Sequence, residues 1–388
     1  MKTDYKVLGN YIRLVDKRNR DLAITNLLGV SIEKRFIPSI ANIVGTDLSN
    51  YKVVQTGQFA YGPVTSRNGE KISIAYLESE DCIISSSYTV FEVTKKEELD
   101  PEYLMLWFSR PEFDRYARYK SHGSVREIFD WNELCMVELP VPDIKEQRNI
   151  VKAYRTIANR IALKKQINDN LEATAQAVFQ EQFAFYYGLS ELPNGWNIVS
   201  LDNLCTVKGG KRLPADCELL DTPTEHPYIR VRDVGNSRYV CLTNQFQYID
   251  EETHSAISRY IVNEGDIIIS IVGTIGLIGK VHVSLDKANL TENCVKLADI
   301  HTVTSDYLYY TLCYKKQIKE IELLTVGAVQ AKLPMYNIQS MKILVPPTDV
   351  IEEFQTKTDT FNKQIEANTI EIQKLYELQN VLLAKLSD

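Results

Sequence analysis

The sequence predicts a duplicated α/β (α+β) chain: two similar globular domains alternating with two long helices that form an antiparallel coiled coil about a pseudo-two-fold axis. Three observations predict it. A run free of Gly and Pro, from Ile144 to Phe183, carries apolar residues at three- and four-residue steps, and the same pattern returns at the C-terminus. The two patterns keep a constant separation of 204 residues (354 minus 150). The stretches before each pattern mix strand and helix signatures and share motifs at that same separation. The boundaries that follow are a first domain at 1–143, a first long helix at 144–187, a second domain at 188–347 and a second long helix at 348–388.

The first seam reads Ile150, Tyr154, Ile157, Ile161, Leu171, Ala175 and Val178, with polar Lys164 and Asn168 upon it. The second reads Phe354, Phe361, Ile365, Ile372, Leu375, Gln379 and Leu382. Side chains three and four apart share one helical face, whereas a strand alternates. A step averaging 3.5 residues packs helix on helix, and polar seam residues fix register. Packing of each seam on its own domain is the alternative. A helix of about 38 residues spans ~57 Å.

In chain order, Asn10–Asp16 reads as helix-compatible, with the cations Arg13, Lys17, Arg18 and Arg20 around its end. Gly29–Pro38 reads as a turn bearing Lys34 and Arg35. Strands are expected at Tyr51–Val54, Gln58–Tyr61, Ile72–Ala75 and Ser87–Val93, rich in β-branched and aromatic residues. Asp100-Pro101 opens a helix, and Leu139–Pro142 is a Pro-bounded strand. After Leu192-Pro193-Asn194-Gly195-Trp196 restarts a domain, Tyr228–Asp233 and Gly265–Ser270 read as strands, Thr304–Tyr314 as a helix and Met341–Val345 as a closing strand. Asp100–Leu104 matches Thr304–Leu308, and Gly123–Arg126 matches Gly327–Gln330, both at 204 residues. A period near 200 is too long for solenoids or propellers.

Composition narrows the function. Hydrophobic content of 44% and charged content of 24% describe a soluble globular protein, and no apolar run reaches membrane-spanning length. The N-terminus lacks a secretory signal, so a cytoplasmic protein with no membrane partner is expected. Seven scattered cysteines without a Cys-x-x-Cys pair read as reduced core thiols, not metal ligands. The formal charge of −7 means that nucleic-acid binding must rest on local basic patches or on partner subunits.

Such patches occur. Lys208-Gly209-Gly210-Lys211-Arg212 pairs cations with glycines that let backbone approach a phosphate, and Arg can take guanine bidentately. Lys34 and Arg35 are its expected counterpart in the first domain. Arg230 and Arg232 alternate along a predicted strand. Arg118, Lys120 and Arg126, beside Arg115 and His122, form a basic stretch suited to phosphate positioning. A solvated basic turn or an outer sheet face is the alternative for each. Gly273–Lys280 departs from a Walker A loop. No amino-methyltransferase, nuclease, metalloprotease or serine-hydrolase motif occurs, so a non-catalytic chain is expected.

Motif order carries a resemblance. Leu192-Pro193-x-Gly195-Trp196, Tyr228-Ile229-Arg230-Val231-Arg232-Asp233, Gly265-Asp266 ahead of a strand, Gly273 and Gly276, Gly123-Ser124-Val125, Gly327-Ala328-Val329, and the Val141-Pro142 and Pro346-Pro347 boundaries follow one another as in a known family. Over essentially its whole length the chain resembles the DNA-specificity subunits of type I restriction-modification enzymes. The first half lacks the Leu-Pro-x-Gly-Trp opening, which leaves its start less defined. The resemblance implies two target-recognition domains, each reading half of an asymmetric bipartite site in double-stranded DNA. It implies that the paired helices (Ile150, Ile157, Ile161, Leu171 against Phe354, Phe361, Ile365, Leu375, Leu382) set half-site separation. It further implies two methyltransferase (modification) subunits and restriction (translocase-nuclease) subunits as partners, with AdoMet, ATP and Mg²⁺ in those partners and no cofactor in this chain. A ruler of that length against the ~34 Å pitch of DNA gives half-sites one to two turns apart. A duplicated coiled-coil interaction scaffold that binds no DNA is the competing reading.

Overall fold

The computed structural model describes residues 5–39, 45–66, 68, 71–123, 126–235, 237–243, 245–327 and 331–387. The chain divides into two units: residues 1–159 with 376–388, and residues 160–375.

In the first unit, β1 (Tyr5–Val7), β2 (Ile12–Val15), β3 (Leu28–Val30), β4 (Phe36–Pro38), β5 (Lys52–Val54), β6 (Phe59–Tyr61), β7 (Ile74–Tyr76), β8 (Cys82–Ile84) and β9 (Thr89–Val93) precede α1 (Pro101–Phe108), α2 (Pro111–Tyr119), α3 (Trp131–Cys135) and β10 (Glu138–Pro140). The central sheet is antiparallel in the order β2-β9-β6-β7, flanked by the pairs β1-β10, β3-β4 and β5-β8. Ile12–Val15 is therefore strand, not helix. Its burial shows no period of two, since Ile12 is buried, Arg13 and Leu14 are exposed and Val15 is half-buried; pairing with β9 makes it a strand. Phe59, Tyr61, Phe91 and Phe108 fill the core between sheet and helices.

α4 (Ile144–Phe183) then runs for 40 residues. The second unit continues with β11 (Asn197–Ser200), β12 (Thr206–Gly209), β13 (His226–Ile229), β14 (Tyr239–Val240), β15 (Gln247–Ile249), α5 (Glu251–Ile257), β16 (Ile267–Ser270), β17 (Ile278–Val281), β18 (Asn289–Leu290), β19 (Cys294–Ala298), α6 (Ser305–Leu312), α7 (Lys315–Leu324), α8 (Met335–Ser340), β20 (Lys342–Val345) and α9 (Thr348–Ala384). Its central sheet runs β12-β19-β16-β17-β14, with β15-β13-β18 and β11-β20 beside it.

The duplication is visible in individual bonds. Asp100 caps α1 by accepting from the backbone N–H of Glu102 and Tyr103, and Thr304 caps α6 by accepting from Tyr307. One turn on, the Tyr103 hydroxyl donates to the Pro140 carbonyl (3.1 Å), and the Tyr307 hydroxyl donates to Leu344 (2.8 Å). Gly57 and Gly265, each two residues ahead of a core strand (β6 and β16), both take positive φ, 90° and 83°, and donate to the carbonyls of Leu77 and Val281.

Within the second unit the two long helices pack antiparallel. Phe179 and Phe183 meet Phe354, Leu171 packs near Ile365, and Arg160 pairs with Glu371. Asn368 donates to the Asn168 side chain at 2.8 Å inside this seam, and Lys164 donates to Asn368 at 2.8 Å. A buried Asn pair is satisfied at one register only, so sliding by a turn would strand both amides. The buried positions of α4 include Gln147, Val151, Ile157, Ile161 and Asn168, while Ile150 and Leu171 are half-buried. On α9, Ile351, Phe354, Thr358, Ile365, Asn368, Ile372 and Gln379 are buried; Phe361, Leu375 and Leu382 are half-buried. In the first unit Val151 shares a core with Leu383 and Leu386.

Candidate nucleic-acid interface

The glycine-basic segment of the second domain leaves the edge of the central sheet. Lys208 is exposed on β12, which pairs with β19. Beyond the strand end, Gly210 N–H donates to the Cys294 carbonyl (3.0 Å), and Lys211 N–H donates to Leu290 (2.8 Å). A Cβ on Gly210 would lie 2.1 Å from the Thr291 carbonyl oxygen. Gly210 is glycine because protein backbone, not a ligand, passes there; Gly209 has open space around it. Lys211 and Arg212 project into solvent. The Lys211 ammonium lies 5.7 Å from the Tyr260 ring centre, and Arg212 pairs with Glu292 at 2.7 Å while 81% exposed.

The expected counterpart in the first domain differs. Val30 and Phe36 pair across the β3-β4 hairpin, and Lys34 sits in its turn at φ 60°. Its side chain is only 10% exposed and points inward, donating to the Ile72 carbonyl (2.9 Å) and pairing with Asp114 (2.5 Å). Burial pulls the Lys34 ammonium below the usual lysine range, with Asp114 opposing that shift. Arg35 remains exposed.

By topology, the strand equivalent to β12 is β2, since each is the edge partner of the strand feeding α1 or α6. The cations that leave β2 are Lys17, Arg18 and Arg20. Lys17 and Arg20 are exposed, and Arg18 donates to the Asn50 carbonyl (2.9 Å). The offset accounts for the difference: Gly57 and Gly265 are 208 residues apart, whereas Asp100 and Thr304 are 204 apart, so one spacing does not run through the whole domain and residue letters alone pair the wrong turns.

Arg230 and Arg232 do not share a strand face. β13 ends at Ile229, and residues Val231–Asp233 form a 3-10 turn. Arg230 is held by Asp233 (2.9 Å) with a side chain 14% exposed, while Arg232 is free to solvent at 65%. Arg118 pairs with Glu127, and Lys120 lies 3.6 Å from Glu133; Arg126 is exposed. Residues 124–125 and 328–330 of the repeated Gly-x-Val motif lie outside the described residues. A pattern emerges: most of the predicted cations face a carboxylate. That local pairing is how a chain of charge −7 carries basic loops.

Among the described residues, no three His, Cys, Asp or Glu side chains are grouped to hold a metal ion, and no helix is long and apolar enough to cross a membrane. Residues 37–173 and 193–381, one stretch from each half, match the type I restriction modification DNA specificity domain. The chain belongs to that family. Among relatives of this DNA-specificity family, the MjaIX type I restriction enzyme specificity subunit of Methanocaldococcus jannaschii is 24% identical over 306 residues, covering 76% of this chain and 70% of that protein. The HindI specificity subunit of Haemophilus influenzae is 19% identical, covering 98% and 97%. The crystal structure of the type I restriction-modification system S subunit from M. genitalium superposes with a TM-score of 0.50 at 15% identity, covering 98% of this chain and 95% of that one, and supports the fold. The family assigns the chain to DNA specificity within a restriction-modification complex, a role in which the specificity chain itself is not catalytic.

Proposed function

We propose that this chain is the DNA-reading subunit of a type I restriction-modification complex, with each globular domain reading one half of an asymmetric bipartite site. The observation that carries this is a framework repeated twice with different attachments. The sheets β2-β9-β6-β7 and β12-β19-β16-β17 are equivalent, and β4-β3-β8 follows the plan of β15-β13-β18, but residues 31–35 join β3 to β4 as a short turn, whereas the stretch between β13 and β15 carries β14, a fifth strand on the second sheet. One scaffold bearing two sets of loops reads two different sequences. Lys17, Arg20, Arg35 and Arg126 in the first domain, and Lys208, Lys211, Arg212 and Arg232 in the second, are exposed cations available for phosphate or base contact.

The helix pair holds half-site separation and docks two methyltransferase subunits; restriction subunits with translocase and nuclease activity join for cleavage. AdoMet, ATP and Mg²⁺ act in those partners, within the cytoplasm. The test is methylome sequencing of a host carrying the cognate methyltransferase, with and without this gene. The expected result is one bipartite adenine-methylated motif that disappears on deletion. An unchanged methylome with the methyltransferase expressed would favour a scaffold that binds no DNA.

A further inference from the structure

Arg238, which enters β14, is buried in the second unit with its side chain wholly removed from solvent. Its Nη2 donates to Asp306 at 2.6 Å, and its Nη1 lies 3.6 Å from the Glu172 carboxylate on α4. The guanidinium carbon sits 4.6 Å from the ring centres of both Tyr309 and Tyr310. Asp306, in the first turn of α6, also accepts from Lys280 of β17 (2.6 Å) and from Asn362 of α9 (3.0 Å). The Asn362 carbonyl in turn accepts from the Tyr310 hydroxyl at 2.6 Å. Arg238 and Asp306 together tie the sheet and α6 to both long helices, Arg238 through Glu172 of α4 and Asp306 through Asn362 of α9.

Packing alone does not call for a charge here, because apolar side chains of similar volume fill such a space at lower desolvation cost. A planar guanidinium clamped between rings and carboxylates instead fixes angles, since its donors are rigidly oriented. The matching positions of the first domain carry other residues. Residues 204 positions earlier than Lys280, Asp306, Tyr309, Tyr310 and Asn362 are Tyr76, Glu102, Met105, Leu106 and Ala158.

We infer that Arg238 is a positioning residue that sets the angle of the second recognition domain on the helix pair, and so the number of base pairs between half-sites. Arg238 acts through Asp306, Glu172 and Asn362 and does not touch DNA. The inference rests on the DNA-reading assignment above.

The test compares methylomes of hosts carrying the cognate methyltransferase with the wild-type chain, Arg238→Met, Arg238→Lys or Asn362→Ala. The expected result for Arg238→Met and Asn362→Ala is that both half-site sequences persist while sites one base pair longer or shorter become methylated. That off-register methylation should rise roughly tenfold, the effect of losing about 1.4 kcal/mol of discrimination. Arg238→Lys, which keeps the charge, should fall between them and wild type. Unchanged spacing with methylation intact overturns the inference, as does uniform loss of methylation with soluble protein, or a change in half-site sequence. If Arg238→Met is insoluble, Asn362→Ala and Arg238→Lys decide. If the wild-type chain supports no motif, the DNA-reading assignment itself fails, which is a separate result.

Discussion

Glu102 and Asp306 occupy equivalent first-turn positions, 204 residues apart, and anchor their domains to the long helices by opposite means. Asp306 is buried with Arg238, Lys280 and Asn362 around it. Burial pushes its carboxyl up, but the charges of Arg238 and Lys280 outweigh that and hold it below the ordinary range. Glu102 meets Arg155 of α4 at 2.6 Å, with Arg155 more than half exposed and also paired with Glu78. Burial wins there, and the Glu102 carboxyl is raised. Beside it opens a cleft of about 700 Å³, lined by Arg35, Tyr76, Glu78, Tyr154 and Arg155 among others. The backbone plan was duplicated; the attachment chemistry was not. One domain is fastened by a desolvated network, the other by ion pairs that water reaches.

The largest effect should come from Asp306→Ala, which leaves buried Arg238 with Glu172 alone, 3.6 Å away, and takes the carboxylate from Lys280. A loss of about 3–5 kcal/mol is expected, read as hydrogen exchange opening across residues 160–375. Smaller is Arg212→Ala: specific DNA affinity should fall and the salt slope of the assembled complex should shrink by about 0.9, one phosphate contact. An unchanged slope would place Arg212 away from DNA. Smaller again is Arg155→Ala, the exposed analogue, at under about 1 kcal/mol; a loss comparable to Asp306→Ala would erase the contrast between the two seats.

Acid should separate the seats further. A depressed carboxyl such as Asp306 contributes stability above its unfolded value, near 3.9, that is lost only as pH falls below it. A raised carboxyl such as Glu102 costs stability at neutral pH, and that cost is relieved as pH falls through its raised value. Between pH 7 and 5 Asp306 should keep its charge, while Glu102→Gln, measured by hydrogen exchange, should flatten any response in the first unit.

Local chemistry made much of this legible. Caps at Asp100 and Thr304, the glycine turns at Gly57 and Gly265, and heptad spacing in α4 and α9 each depend on residues close in sequence, so the letters reveal them. Lys34 was illegible because its partner Asp114 lies 80 residues away. Gly210 looked like a phosphate glycine because the Thr291 carbonyl that excludes a side chain comes from the distant connection between β18 and β19. Ile12–Val15 failed for its brevity, since four residues show a strand period only weakly against the basic run behind them. Arg238 carried no pattern at all: its partners come from α4, β17 and α6, and nothing in its immediate neighbours marks a buried cation.

The central claim is that two copies of one framework read two half-sites independently. The most direct measurement is a domain exchange: replace residues 188–347 with the second domain of another member of the family and sequence the methylome. The account predicts that one half of the motif changes and the other is retained, at the same adenine-methylated register. A change in both halves would contradict it.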